Sequence, residues 1–218
     1  MFLDFILVVM FYGISLAASG GAMDRQWNFE TGTANQPPTG FTFSRTGTGR
    51  QGSWIVQKED QSPSGTYVLA QLDTDNTSYR FPIAVANESM IRDFRLSVRC
   101  KPVSGKVDQA CGLVFRYRDE NNYYVARANA LEDNVRFYQV SAGKRHELAS
   151  WSGRVASGIW HELRVDSMED RFQIFWNTQK VIDARDKTFT EPGKIGLWTK
   201  ADSVTYFDDL TVEAKEEK

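Results

Sequence analysis

The chain has 218 residues, of which 41% are hydrophobic and 25% charged, an ordinary composition for a globular protein. Its formal net charge is −2 and it contains no block of basic residues, which argues against nucleic acid as a partner because such binding needs clustered Lys and Arg. The length suits one large β-sandwich or two small domains, and we expect one domain because no linker divides the chain.

The N-terminus carries an apolar segment typical of an export signal. Residues 5–16 are almost entirely apolar, and small residues follow them. The segment is about as long as a signal-peptide core and too short to cross a bilayer comfortably. Asp4 stands where a positive charge is expected, so an uncleaved anchor or a misassigned start codon is the alternative. We predict a signal peptide at residues 1–20, a secreted or periplasmic protein, and no membrane span in the mature chain.

Short strand patterns, each bounded by turn residues, follow the leader. Residues 31–40 are rich in Gly, Pro and Thr and indicate a loop. Pro82 indicates a sheet edge or the end of a strand, and a short helix is possible around residues 83–90. About a dozen strands and no long segment of helical period favour an all-β sandwich or barrel over residues 24–213, followed by a charged tail at 214–218. The predicted strands are residues 26–30, 53–57, 67–71, 78–81, 94–100, 111–118, 123–129, 135–140, 145–151, 160–166, 171–176, 181–184, 194–199 and 204–213.

Two cysteines, Cys100 and Cys111, stand at the ends of strand patterns joined by the loop 101–110. In an exported protein an even pair suggests a disulfide. We expect the two residues to lie side by side across a hairpin; two buried free thiols are the alternative.

Two long strings carry a family resemblance. They are CGLVFRYRDENNYYVARANALEDNVRFYQVSAGKRHELA in the middle of the chain and WHELRVDSMEDRFQIFWNTQKVIDARDKTFTEPGKIGLWTKADSVTYFDDLTVE near its end. They resemble concanavalin A-like lectin/glucanase domains, and more closely the laminin-G-like group filed with 3-keto-disaccharide hydrolase-type domains. The resemblance covers roughly residues 27–213 and implies a two-sheet antiparallel jelly-roll sandwich. It says little about activity, because this superfamily hosts lectins, glucanases and adhesion modules.

One face of the central strands is the predicted ligand site. Arg and Asn side chains beside aromatic rings suit the recognition of sugar hydroxyls, although the solvent face of an antiparallel sheet is also normally polar. Strand alternation puts Tyr123 on the face of Arg127, whereas the family pattern favours Tyr124. Trp198 fits the site and the core equally well. The residues predicted to bind ligand are Arg116, Tyr124, Arg127, Asn129, Trp198 and Lys200.

Glu30 and Asp208 are candidate ligands of a structural Ca²⁺. Related laminin-G-like domains often hold this ion between an acidic residue near the first strand and an Asp in the last strand, so the assignment follows from the resemblance. Hard oxygen ligands suit calcium. The alternative is that the two terminal strands pair without a metal.

These observations predict an exported, lectin-like domain that binds a glycan or small saccharide without catalysis. No strand carries the Glu-x-Asp-x-Glu run of family 16 glucanases, and most acidic residues lie in predicted turns. The first alternative is a hydrolase or lyase that acts on a glycoside or 3-keto-disaccharide, with Asp183 as a weak candidate carboxylate. The second is an adhesion or scaffold module that binds protein.

Overall fold

The structure is a computed structural model that describes residues 24–215. In this range the chain forms fifteen β-strands joined by turns and loops. The strands are β1 (Arg25–Trp27), β2 (Phe41–Gly47), β3 (Trp54–Lys58), β4 (Tyr67–Gln71), β5 (Arg80–Ala86), β6 (Phe94–Ser104), β7 (Ala110–Asp119), β8 (Asn122–Asn129), β9 (Asn134–Ser141), β10 (Lys144–Ser152), β11 (His161–Met168), β12 (Arg171–Trp176), β13 (Gln179–Arg185), β14 (Lys194–Trp198) and β15 (Val204–Ala214).

The strands form two antiparallel sheets that pack face to face. The front sheet has the order β10-β9-β8-β7-β14-β5-β2. The back sheet has the order β13-β12-β11-β6-β15-β4-β3, and β1 also pairs with β15. Because each sheet takes strands from both halves of the chain, the described residues make one sandwich with a shared core. The prediction of a two-sheet antiparallel jelly roll is confirmed.

The main core lies between the sheets and follows from strand alternation. In β6, Phe94, Leu96 and Val98 point inward and are at most 1% exposed, while Arg95 and Arg99 point to solvent. Aromatic rings from both sheets meet in the middle of this layer. Their centroids lie 4.9 to 5.9 Å apart, within the range of favourable ring contacts. The rings belong to Phe115, Tyr124, Phe137 and Phe172.

A second apolar cluster covers the outer face of the front sheet. Its members are nearly fully buried although no second sheet covers them within the described range. Part of the cover is the guanidinium of Arg145, which lies 4.3 Å from the ring centre of Phe81 and 4.9 Å from that of Tyr138. The cluster consists of Phe81, Ile83, Val85, Ala110, Val114, Tyr123, Val125, Tyr138, Val140 and Trp198.

Cys100 and Cys111 are joined by a disulfide, with their Cα atoms 6.3 Å apart. The expected hairpin geometry is wrong. Cys100 lies on β6 of the back sheet and Cys111 on β7 of the front sheet, so the disulfide ties the two sheets together. The loop between them crosses from one sheet to the other instead of turning back on the same sheet.

The helix expected around residues 83–90 is also wrong, since β5 occupies Arg80–Ala86. This strand is buried on both faces, so its apolar residues form a continuous run and the period of two is hidden. Pro82 does not mark an edge, because β5 pairs with both β2 and β14, and β2 is the outermost strand. β2 itself, Phe41–Gly47, was not among the predicted strands.

The predicted terminal segments fall largely outside the described residues. The leader at 1–20 and residues 216–218 lie beyond them. Ala214, assigned to a charged tail, instead belongs to β15, and the backbone N–H of Lys215 donates to the carbonyl of Asp93 at 3.0 Å. Between residues 24 and 215 the chain contains no helix that is long and apolar enough to cross a membrane.

Candidate functional site

The register of β8 decides which predicted site residues share a face. Pairing with β9 runs without interruption from Tyr123 opposite Val140 to Asn129 opposite Asn134. The strand is therefore regular, and Tyr123, Arg127 and Asn129 all point to the outer face of the front sheet. Tyr124 points to the core on the other side.

Arg127 is the centre of a polar cluster at one end of this outer face. Its guanidinium donates to Glu132 Oε2 at 2.9 Å, to the phenolic oxygen of Tyr138 at 3.3 Å, and to Asn134 Oδ1. Asn134 also donates to Glu132 Oε2, at 3.1 Å, and the guanidinium of Arg136 lies 3.8 Å from the same oxygen. The Glu132 carboxylate is therefore fixed from several sides.

The second half of the cluster joins residues that are far apart in the chain. Asn129 Nδ2 donates to Asp108 Oδ1 at 2.8 Å, and the ammonium of Lys200 pairs with Asp108 Oδ2. Asp108 is 1% exposed, so its charge depends on these partners. We call the whole set the front-face polar cluster: Asp108, Arg127, Asn129, Glu132, Asn134, Arg136, Tyr138 and Lys200.

The loop that carries Asp108 is held by a buried carboxylate behind it. Asp202 accepts hydrogen bonds from the backbone N–H groups of Lys106, Val107 and Asp108 at 2.7 to 3.0 Å. The loop begins at Gly105, whose φ is 152°, and a Cβ there would lie 1.9 Å from the carbonyl oxygen of Asp108. Only glycine fits at position 105 where the loop folds back on itself, so the backbone fixes the position of Asp108.

The two carboxylates of the cluster have pKa values that move in opposite directions. Burial raises the pKa of Asp108, against the opposing hydrogen bond and charge of Lys200. Burial alone would also raise the pKa of Glu132, but the hydrogen bond from Asn134 and the positive charge of Arg127 outweigh it and lower that pKa. Glu132 is about a third exposed, so it presents an ionised carboxylate to solvent at neutral pH.

Trp198 forms part of the apolar floor beside this cluster. It is fully buried, its ring stacks on Phe81 with centroids 5.3 Å apart, and its indole N–H donates to Tyr123 Oη at 3.4 Å. Gly112 lies between Trp198 and Arg127 in the sheet, and a Cβ there would lie 3.1 Å from Arg127 Cβ and 3.2 Å from the indole ring. The absence of a side chain at Gly112 thus lets the side chains of Arg127 and Trp198 pack above β7.

Arg116 and Tyr124 lie on the opposite side of the front sheet, and they correct the expectation of a single six-residue site. A bulge in β7 gives Arg116 a φ of 45° and turns its side chain inward, where it donates to the carbonyl of Phe189 at 2.6 Å and lies over Phe172. Tyr124 is buried, and its hydroxyl contacts Asp186 and accepts from Phe189 N–H at 3.1 Å. The structure brings together Arg127, Asn129, Trp198 and Lys200.

Asp183 lies on β13, the outermost strand of the back sheet, away from the front-face polar cluster. It pairs with Arg171 at 2.8 Å and with Lys180 at 2.9 Å. These pairs and Gln173 hold its pKa well below the usual range. As a candidate carboxylate for a reaction on the front face, Asp183 is therefore misplaced.

Glu30 and Asp208 both contact the loop before β4. Glu30 Oε1 accepts from the backbone N–H groups of Thr66 at 2.8 Å and Tyr67 at 2.6 Å. Asp208 Oδ2 accepts from the N–H of Ser64 at 3.1 Å, and burial raises the pKa of Asp208 to about 6. Within residues 24–215 no group of three or more His, Cys, Asp and Glu side chains is placed to hold a metal ion.

Sequence reasoning missed the acidic half of the cluster. Glu132 is one of the acidic residues that lie in predicted turns, and no sequence pattern singles out Asp108. The position of Glu132 in the sequence could have indicated its role. It follows Asn129 by three residues in the turn between β8 and β9, and Arg127 and Asn129 share one face of β8 by strand alternation. The contact of Asp108 with Lys200 joins residues 92 positions apart, which no local pattern reveals.

The sheet order and strand topology define a two-sheet antiparallel jelly-roll sandwich, and solved structures share this fold. The carbohydrate-binding module CBM66 from Bacillus subtilis aligns with a TM-score of 0.65 at 22% identity, over 84% of this chain and 99% of that one. The Ca²⁺/Man3GlcNAc-bound exoplasmic/lumenal domain of VIP36 aligns with a TM-score of 0.58 at 12% identity, over 82% and 85%. These structures confirm the predicted jelly-roll fold.

Among curated proteins, levanase of Bacillus subtilis (strain 168) is 25% identical over 205 residues. The match covers 91% of this chain and 27% of levanase, so the chain spans about a quarter of that relative. No protein-family model matches the sequence.

Proposed function

We propose that this chain is a non-catalytic carbohydrate-binding module that binds its saccharide at the front-face polar cluster. The observation that carries the proposal is the Glu132 carboxylate, held by Arg127 and partly open to solvent. A fixed carboxylate accepts hydrogen bonds from neighbouring sugar hydroxyls, and Arg136 beside it supplies donors to hydroxyl oxygens. This pairing suits a vicinal diol.

The choice of saccharide follows from the comparisons. The solved CBM66 structure is titled as a carbohydrate-binding module, and the curated relative is a levanase. Levan and its oligosaccharides are therefore the first ligands that we propose for this chain. A panel of levan, inulin, laminarin and starch, titrated calorimetrically into the domain, tests this choice. Binding of the fructans alone supports levan as the ligand. Binding of a glucan alone contradicts levan and makes that glucan the proposed ligand.

Hydrolysis is tested in the same samples by an assay for released reducing sugar. Glycoside hydrolysis ordinarily needs two carboxylates on either side of the scissile bond. In this cluster Glu132 reaches solvent, but Asp108 is buried and held by Lys200 and Asn129. We expect binding without turnover; turnover that Glu132→Gln abolishes would favour the hydrolase alternative.

We propose a structural role for Glu30 and Asp208 in place of calcium binding. Both carboxylates cap the backbone of residues 64–67, which ties the loop before β4 to the terminal strands. Melting curves with and without chelator should coincide. A chelator-dependent fall in melting temperature that Asp208→Ala removes would instead support the calcium assignment.

Export remains a proposal that rests on the apolar leader at residues 1–20. Intact-mass analysis of secreted material should show the loss of about 17 to 22 residues, the range that places small residues before the cleavage point. A secreted protein that retains Met1 contradicts cleavage.

A further inference from the structure

A second depression lies next to the front-face polar cluster, on the other side of the loop that carries Asp108. It is an open cavity of about 490 Å³, within the range of about 300–1,000 Å³ that is typical of ligand sites. Its lining includes Thr74, Asn76, Ser104, Lys106 and Gln109. These side chains offer hydroxyl, amide and ammonium groups, which are the groups that recognise sugar hydroxyls.

The polar groups of this cavity are largely free to bind a ligand. Thr74, Asn76, Ser104 and Lys106 are exposed, and within residues 24–215 their side chains make no hydrogen bond or ion pair with another residue. The wall behind them is stiff, because Asp202 accepts the backbone N–H groups of residues 106–108. The fixed backbone of this wall loses little entropy when a ligand binds, whereas the free side chains lose rotamer freedom that their new hydrogen bonds must outweigh.

The loop 105–109 connects the cavity to the front-face polar cluster. Asp108 points from this loop to Asn129 and Lys200, while Lys106 and Val107 line the cavity. The cavity and the front-face polar cluster therefore share this loop as a common wall.

We propose that this cavity is a second saccharide subsite, which takes a further sugar unit of the polymer that occupies the front-face polar cluster. The inference rests on the proposed function, and it adds a dependence of affinity on chain length. A single sugar unit fills the cluster alone. A longer oligosaccharide crosses the loop 105–109 and gains contacts with Lys106, Asn76 and Thr74.

The test is calorimetric titration of the domain with fructose, the single sugar unit, and with levan oligosaccharides of increasing size. We expect the longest oligomers to bind about tenfold more tightly than fructose, the gain of roughly one well-formed additional hydrogen bond. Lys106→Ala should remove most of this gain and leave fructose affinity unchanged. Thr74→Trp, which places a bulky ring in the cavity from an exposed loop position, should do the same.

Lys144→Ala is the matched control, because Lys144 is exposed in the turn at the start of β10 and does not line the cavity. Affinity that is independent of oligomer length in the unmodified domain overturns the subsite and leaves the proposed function intact. An equal loss of affinity for short and long oligomers in Lys106→Ala also overturns it. Failure of every levan oligomer to bind overturns the fructan assignment and the subsite together.

Discussion

The carboxylate of Glu132 accepts a hydrogen bond from the guanidinium of Arg127 at 2.9 Å, yet the two side chains lie in different environments. The side chain of Arg127 is 2% exposed and that of Glu132 is 36% exposed. The pair therefore links the interior of the front face to its surface. We infer that Arg127 chiefly positions the carboxylate, while Glu132 contacts the saccharide.

Replacing Arg127 by Met should lower the stability of the domain. The change removes the donor to the buried Asn134 Oδ1, at a cost of about 1–3 kcal/mol in the free energy of unfolding, while Tyr138 keeps Arg136 as a donor. Chemical denaturation measures this cost. The double variant Arg127→Met, Glu132→Gln should be less destabilised than the sum of the two single variants, because the second change removes a charge that has lost its partner. Strict additivity would show that the pair is not coupled.

The disulfide between the sheets should contribute about 2–3 kcal/mol to stability on the chain-entropy model, because it closes a short loop of the unfolded chain. Replacing Cys100 and Cys111 by Ala keeps both buried positions apolar and removes only the bond and two sulfur atoms. Denaturation of this double variant should match that of the reduced unmodified domain. Equal stability of the variant and the oxidised domain counts against a stabilising disulfide.

Stability should depend on pH through Asp208. Burial raises its pKa to about 6 in the folded domain, above the ordinary value of 3.8, so the folded state holds this proton more tightly than the unfolded state. The contribution of Asp208 to the free energy of unfolding is therefore most favourable below about pH 4 and declines until about pH 6. Asp208→Asn should remove this decline, which is about 3 kcal/mol for a shift of about two pKa units. Parallel pH profiles for the two proteins would rule out the effect.

Asp202 should act on affinity through the loop that it holds. Asp202→Ala removes the acceptor of three backbone N–H groups, so we expect a loss of stability of about 1–3 kcal/mol. Affinity for short and long oligosaccharides should fall together, because Asp108 and the cavity wall both move. Circular dichroism at a temperature well below the melting point separates this loss from unfolding. Unchanged affinity in a folded variant would show that the loop position does not matter for binding.

The fold could be predicted from the sequence because most strands expose one face. In β6 the alternation of Phe94, Arg95, Leu96 and Ser97 is visible in the residues alone. β5 hides this signal because both of its faces are buried, which is why a helix was expected there. Local periodicity also cannot show which sheet a strand joins, so Cys100 and Cys111 were placed in one hairpin.

The candidate site could be predicted only in part. The parity of β8 correctly grouped Arg127 with Asn129, since every second residue of a regular strand shares a face. The bulge that turns Arg116 into the core depends on a φ of 45° at this residue, and no pattern in the sequence predicts this bulge. Asp108 enters the site from a loop held by Asp202, a contact between residues 94 positions apart.

The central claim is that Glu132 binds the saccharide at the front face. Its most direct test is calorimetric titration of levan oligosaccharide into the unmodified domain, Glu132→Gln, and the control Glu213→Gln, whose side chain is exposed on β15 of the back sheet. Loss of a charged acceptor should weaken binding by about 1–3 kcal/mol in Glu132→Gln and leave its melting temperature nearly unchanged, while the control binds normally. Equal affinity of all three proteins would contradict the assignment of the site.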